Sequence, residues 1–85
     1  MPEFKAQAEL LKKYRAKSEV TQSQLAKHLK LTTPQYISNM ERGLCPIPLK
    51  HVKKLCKFLD ANPKDFFNAF MLDEKRMWRK SGLHI

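Results

Sequence analysis

The sequence predicts an all-α fold of five helices in a single domain covering residues 1–85. Apolar residues recur at helical spacing in five separate segments. Three of those segments begin with residues that commonly start helices, namely Thr21, Thr33 followed by Pro34, and Asn62 followed by Pro63. A chain of 85 residues is near the lower end of what one hydrophobic core can support, so a partner subunit would add stability.

The first helix is predicted over residues 4–18. Phe4, Ala8, Leu11 and Tyr14 form an apolar stripe at helical spacing. Arg15 falls inside the same stripe, which is an unusual place for a cation. A buried charge is tolerated only when it is paired, so this helix requires an acidic neighbour for Arg15.

The central segment from Thr21 to Gly43 is predicted to form two short helices joined by a tight connection. Thr21 and Gln24 have the spacing of a capping box, in which each side chain satisfies a backbone N–H of the other residue. Val20 and Leu25 have the positions of a hydrophobic staple around the same helix start.

The second helix of this segment is predicted over residues 34–42, with Thr33 as its cap. Its inward arc contains Ile37, Met40 and, unexpectedly for a charged residue, Glu41. The outward arc carries amide, hydroxyl and guanidinium groups, from Gln35, Ser38, Asn39 and Arg42, with Tyr36 on the flank. Such groups can read base edges in DNA, but they also suit an ordinary solvated helix surface.

The fourth helix is predicted over residues 48–59 with two distinct faces. The core arc is expected to contain Leu49, Val52, Leu55, Cys56 and Leu59. The opposite arc contains Lys50, Lys53, Lys54 and Lys57, and a solvated face is the simpler interpretation for the last three.

The fifth helix is predicted from Pro63 to about Lys80, with its second part as an extension over residues 68–80. The first half can complete the core, whereas Met71, Met77 and Trp78 are expected to lie beyond it. Exposed apolar clusters mark association surfaces, so Phe70, Met71, Met77 and Trp78 predict a homodimer interface. The alternative is that this extension packs back on its own domain. A chain cut after Leu72 is expected to keep most of the core.

The net charge of +9 is concentrated in one part of the chain. Residues 10–57 contain eleven Lys or Arg residues and two acids, Glu19 and Glu41, so this region carries the whole excess. A compact basic domain is typical of proteins that bind polyanions, although charge also serves solubility.

Several classes of function are not expected. His28, His51, His84, Cys45 and Cys56 do not have zinc-ligand spacing, and two glycines are too few for a phosphate-binding loop. No catalytic constellation is apparent, so we expect neither an enzyme nor a cofactor. With no secretory signal or membrane span, and two cysteines that make no disulfide framework, a cytoplasmic protein with reduced thiols is expected.

The central motif resembles the lambda-repressor-like helix-turn-helix family, the phage repressor and Cro group also called XRE-type. The resemblance covers about residues 10–67 and is carried by Arg15, Gln22, Leu25-Ala26, the Ile37-Ser38-Asn39-Met40 run and Glu41-Arg42-Gly43. Two features depart from the family pattern. The connection at Lys30-Leu31-Thr32 is one residue longer and lacks the usual glycine, and Pro48 stands where a capping serine is usual.

The resemblance implies an ion pair between Arg15 and Glu41, and a loop after Gly43 that runs beside the DNA backbone. It also implies a sequence-specific transcriptional regulator that binds double-stranded DNA, here expected to be a homodimer on a palindromic site. The expected DNA-binding residues are Gln35, Ser38 and Asn39 on base edges, Tyr36 on the backbone or a thymine methyl, and Gln22, Thr33, Arg42 and Lys50. The alternative is a protein-interaction module of the same fold, such as an antitoxin or co-regulator, that works through the C-terminal helix.

Overall fold

The computed structural model describes residues 3–83 and contains five α-helices in that range. These are α1 (Lys5–Lys17), α2 (Gln22–His28), α3 (Gln35–Glu41), α4 (Leu49–Leu59) and α5 (Pro63–Lys80). The predicted all-α fold is confirmed, and the helix boundaries differ from the expected ones by only a residue or two. His84 and Ile85 lie outside the described residues.

The starts of α2 and α5 are fixed by their N-cap side chains, as the sequence indicates. At α2 the hydroxyl of Thr21 accepts from the backbone N–H of Gln24 at 3.0 Å, while the Gln24 side chain accepts from the N–H of Thr21 at 2.9 Å. At α5 the side chain of Asn62 accepts from the N–H of Lys64 at 2.9 Å. Each bond satisfies a backbone group that the helix itself leaves without a partner.

One residue in the connection between α2 and α3 adopts the left-handed backbone conformation, although the connection contains no glycine. Lys30 adopts φ +58°, and the N–H of Leu31 then donates to the carbonyl of Ala26 at 2.9 Å to close α2. At the end of α3 the same role falls to Gly43, with φ +74° and a bond from the N–H of Leu44 to the carbonyl of Asn39. The longer connection is therefore compatible with a sharp helix end.

The core lies between α1, α2, α3, α4 and the first half of α5. Its fully buried side chains include Leu11, Leu25, Ile37, Met40, Leu55 and Phe66. The prediction that Leu49 belongs to the core is wrong, because Leu49 is 78% exposed. Leu55, Cys56 and Leu59 of the same predicted arc are buried. Leu49 is the first residue of α4 and lies on the edge of its apolar arc, where no neighbouring element covers it.

The second half of α5 packs along α1 through a buried carboxylate that was not predicted from the sequence. Asp73 is 0% exposed, and its oxygens accept from the backbone N–H groups of Ala6 and Gln7 at 2.8 and 3.0 Å. It also accepts from the side-chain amide of Gln7 at 3.1 Å. Because α1 has no capping side chain and no acidic residue in its first turn, Asp73 acts as its cap from a distant part of the chain.

This contact changes the expected role of the C-terminal extension. The extension is not wholly outside the core, because the buried side of α5 continues to Asp73. A chain cut after Leu72 would lose this cap of α1, although it would keep the buried apolar residues, which run from Ala8 to Ala69. Gln7 also links this contact to the loop between α3 and α4, because its side-chain oxygen accepts from the N–H of Ile47 at 2.8 Å.

Candidate nucleic-acid interface

Helix α3 has one buried face and one face open to solvent. Ile37 and Met40 are fully buried, and the carboxylate residue Glu41 is also buried. Gln35, Tyr36 and Arg42 are exposed, while Ser38 and Asn39 are half-buried. The predicted base-reading residues, Gln35, Ser38 and Asn39, therefore share the outer side of a helix whose inner side is held by the core.

Two of the predicted base-reading side chains are hydrogen-bonded to each other. The amide nitrogen of Gln35, Nε2, donates to the amide oxygen of Asn39, Oδ1, at 2.9 Å. The backbone N–H of Gln35 donates to the hydroxyl of Thr33 at 3.2 Å, so Thr33 supports the first turn of the helix. The outer face of α3 thus presents an ordered pair of amides.

The buried face of α3 is tied to α1 by the ion pair between Arg15 and Glu41. The guanidinium of Arg15 meets both carboxylate oxygens, with Nε donating to Oε2 and Nη2 donating to Oε1 at 2.9 Å. Its remaining nitrogen, Nη1, donates to the carbonyl of Val20 at 2.9 Å. The hydrogen bond with Glu41 raises the pKa of Arg15, which stays charged. One side chain therefore holds α1, the chain before α2, and α3 together.

Gln22 belongs to the same network. Its Nε2 donates to Oε1 of Glu41 at 3.1 Å, and the residue is half-buried at the start of α2. One N–H and the side-chain oxygen of Gln22 are not used in this bond. Lys50, another predicted contact, is exposed in the first turn of α4 directly after the loop that follows α3.

Two lysines that the sequence pattern did not predict as contacts lie beside the predicted ones. Lys5 and Lys12 of α1 line a surface cleft, here called the α1–α3 cleft, together with Gln22, Ser38 and Arg42. The cleft also contains the carboxylates of Glu9 and Glu41, and the latter is already paired. A spacing of seven residues puts Lys5 and Lys12 on one face of α1, but only the packing of α1 against α3 brings that face to the interface.

The four residues predicted for a dimer interface are divided by the structure between two sides of α5. Phe70 and Met77 are half-buried, and Phe70 packs against the core. Met71 and Trp78 are 49% and 43% exposed, and Phe67 is 59% exposed. Phe67, Met71 and Trp78 fall within about 40° of the helix circumference, and we call these three the α5 stripe. The indole N–H of Trp78 donates to Glu74 at 3.0 Å.

A helix-turn-helix family model matches residues 11–66, which is well over half of the chain. The chain belongs to the helix-turn-helix family. The match runs from α1 to the start of α5, close to the region in which the sequence resembles lambda-repressor-like proteins. Lys5, Asp73 and the α5 stripe lie outside the matched residues of this helix-turn-helix protein.

The helix-turn-helix chain is also similar to a solved gene regulator. The crystal structure of the clp gene regulator ClgR from C. glutamicum superposes with a TM-score of 0.67 at 27% sequence identity. The similarity covers 79% of this chain and 86% of that chain. No curated protein matches the sequence. Together, the family match and this structural neighbour support a DNA-binding regulator of transcription.

Residues 3–83 contain no group of three or more His, Cys, Asp or Glu side chains able to hold a metal ion. Cys45 and Cys56 are free thiols, and burial raises the pKa of both. None of the helices described is long and apolar enough to cross a membrane.

Proposed function

We propose that this chain is a sequence-specific regulator of transcription that places α3 in the major groove of double-stranded DNA. The observation that carries the proposal is the division of α3 into two faces. Ile37, Met40 and the paired Glu41 hold its inner face, so its backbone is fixed before DNA arrives. Its outer face then presents amide and hydroxyl groups, which match the donors and acceptors on base edges.

Base reading is assigned to Gln35, Ser38 and Asn39, with Tyr36 against the sugar-phosphate backbone or a thymine methyl. Phosphate binding is assigned to the cations and polar groups around α3, namely Gln22, Thr33, Arg42 and Lys50, joined by Lys5 and Lys12 of the α1–α3 cleft. The concentration of positive charge in residues 10–57 supports this assignment, because neutralised phosphates supply much of the affinity of such proteins.

The direct test is selection of bound fragments from random duplex DNA, followed by affinity measurements on the selected site and on an unrelated sequence. A specific regulator should enrich one motif and bind it at least about a thousandfold more tightly than random sequence at physiological salt. Enrichment of no motif, with equal affinity for all sequences, would contradict the proposal.

Substitution of the proposed phosphate contacts should reduce the salt dependence of DNA binding. In Arg42→Gln and in Lys12→Gln, the slope of log affinity against log salt concentration should become less negative by about 0.9 for each lost phosphate contact. Both variants should lose affinity for selected and random DNA alike, because phosphates carry no sequence information. Lys75→Gln is the matched control, since Lys75 is exposed on α5 away from the cleft. A Lys12→Gln slope equal to that of the control would remove α1 from the interface.

We further propose that the chain acts as a homodimer through the α5 stripe. One short recognition helix contacts too few base pairs to single out a site among many genomic competitors. Two copies related by a twofold axis would read a palindrome whose half-sites are about 10 bp, or about 34 Å, apart. Phe67, Met71 and Trp78 are exposed on α5, while the polar face of α3 is assigned to DNA. The stripe is therefore a continuous apolar surface, on one side of one helix, that is available for a symmetric contact.

Met71→Glu should abolish the dimer without unfolding the chain, because Met71 is already half exposed. Sedimentation should give a dimer for the parent chain and a monomer for the variant, with affinity for the palindrome falling much more than affinity for random DNA. Leu72→Glu is the matched control: Leu72 is 59% exposed but lies on a different side of α5, about 100° away. If Met71→Glu and Leu72→Glu sediment alike, the stripe does not form the interface.

A second candidate function is a protein-interaction module, such as an antitoxin or co-regulator, in which the α5 stripe holds a different protein. The exposed aromatic and thioether side chains of the stripe favour this possibility as well, because such residues are enriched at interfaces. Salt-dependent retention on DNA at physiological ionic strength is the discriminating measurement. A chain that stays monomeric and is not retained would favour the module over the regulator.

A further inference from the structure

We propose that Asn39 is a positioning residue that orients the amide of Gln35, so that Gln35 reads adenine and rejects guanine. The inference rests on the proposed function, because it concerns the base that α3 meets in the major groove. It goes further by dividing the roles of two side chains that would otherwise both be described as readers of adenine. The carrying observation is the hydrogen bond from Nε2 of Gln35 to Oδ1 of Asn39, 2.9 Å long.

The donors and acceptors of Gln35 show what this bond leaves for DNA. The side-chain amide has two N–H donors on Nε2 and one acceptor oxygen, Oε1. Asn39 takes one N–H, so one donor and one acceptor remain side by side. The major-groove edge of adenine offers the complementary set, an N6–H donor and the N7 acceptor. Guanine offers two acceptors, O6 and N7, and would leave Oε1 facing an acceptor.

Rejection of guanine follows from the cost of turning the amide over. To present Nε2 to both guanine acceptors, Gln35 would have to rotate its amide and break the bond with Asn39. The rotation would bring Oε1 of Gln35 toward Oδ1 of Asn39, two acceptors with no hydrogen between them. In a groove from which water is displaced, an acceptor without a donor is costly. A free glutamine would not meet this obstacle.

The backbone under the pair is held at both ends, so the orientation is not lost through movement of the helix. The N–H of Gln35 donates to the hydroxyl of Thr33, and the carbonyl of Asn39 accepts from the N–H of Leu44. Ile37, between them on the opposite face, is fully buried. The two side chains are four residues apart on one helix, a spacing at which neighbouring amides support each other.

The test uses selection from random duplex DNA with the full chain and three variants. Gln35→Ala identifies the base that Gln35 reads, because preference at that base should disappear. Asn39→Ala removes the acceptor that orients Gln35. Asn39→Asp keeps an acceptor at the same place and cannot donate, so it should hold the amide of Gln35 in the same orientation. The readout is the ratio of adenine to guanine at the Gln35 base, which is insensitive to the uniform loss of affinity that a new negative charge causes.

The parent chain should prefer adenine over guanine at this base by at least about tenfold, which corresponds to about 1.4 kcal/mol. Asn39→Ala should reduce the ratio to about two or less, and Asn39→Asp should restore it. Retention of the full preference in Asn39→Ala, or its loss in Asn39→Asp, would overturn the inference and leave the proposed function intact. A parent chain that enriches no sequence would overturn both.

Discussion

Asp73→Ala is expected to lower the free energy of unfolding by about 3–5 kcal/mol, because it leaves several buried donors without a partner. The carboxylate accepts from the N–H groups of Ala6 and Gln7 and from the side chain of Gln7, in a position with 0% exposure. It also places a negative charge at the positive end of α1. For a domain of this size the melting temperature should fall by at least about 12 °C.

Thermal and urea unfolding of three variants would test this expectation. Asp73→Asn keeps the size of the side chain and one acceptor oxygen, so its loss of stability should be intermediate. Glu74→Ala is the control, since Glu74 is an exposed acid in the next position and bonds only to the exposed Trp78. It should change stability by no more than about 0.5 kcal/mol. If Asp73→Ala is as stable as Glu74→Ala, the carboxylate does not cap α1.

Removal of either partner of the ion pair between Arg15 and Glu41 is expected to lower the free energy of unfolding by a similarly large amount. Arg15→Met should strand the carboxylate of Glu41, which has a side-chain exposure of 4%, and should cost about 3–5 kcal/mol. Glu41→Leu should cost a similar amount, because Arg15 and Gln22 both lose an acceptor. The double variant Arg15→Met with Glu41→Leu leaves no stranded charge at this site. It should recover most of the lost stability, since paired apolar residues often replace a buried ion pair at little cost.

A double-mutant cycle measured by urea unfolding separates the pair from its surroundings. The coupling free energy should be large because each single variant leaves a charge without its counter-ion. Additive single effects would mean that the two residues do not stabilise each other. The same variants report on function, because α3 is held to α1 through this pair, and the single variants should bind DNA more weakly even under conditions in which they remain folded.

Much of the fold was predictable because its signals are local. The capping box of Thr21 and Gln24 needs only a spacing of three residues, and the buried face of α3 follows from helical periodicity. Asp73 gives no such signal. It lies between the apolar run Phe70-Met71-Leu72 and a run of charged residues, where it resembles a solvated acid, and the donors that bury it are 66 and 67 residues away in sequence.

The candidate site also contains some features that local sequence signals predict and others that depend on tertiary packing. The outward set on α3 was predictable from periodicity, and the inward positions of Arg15 and Glu41 indicated that each needs a partner. The engagement of Gln22 by Glu41 was not predictable, because it depends on the rotamers of three side chains around one carboxylate. Lys5 and Lys12 were not predicted as phosphate contacts for another reason. Their place beside the interface depends on the packing of α1 against α3, which sequence spacing does not reveal.

The capping of α1 by Asp73 also bears on how the chain folds as it is synthesised. Helix α1 leaves the ribosome before the other four helices, yet its first turn is completed by a residue made 67 positions later. Until then α1 lacks a cap, and closing so long a loop carries an entropic cost that later contacts must offset. We expect the segment containing α2 and α3 to gain its local structure early, with α1 held firmly only when α5 has emerged. Synthesis stalled before Asp73 should therefore leave a nascent chain whose first helix is open to proteases.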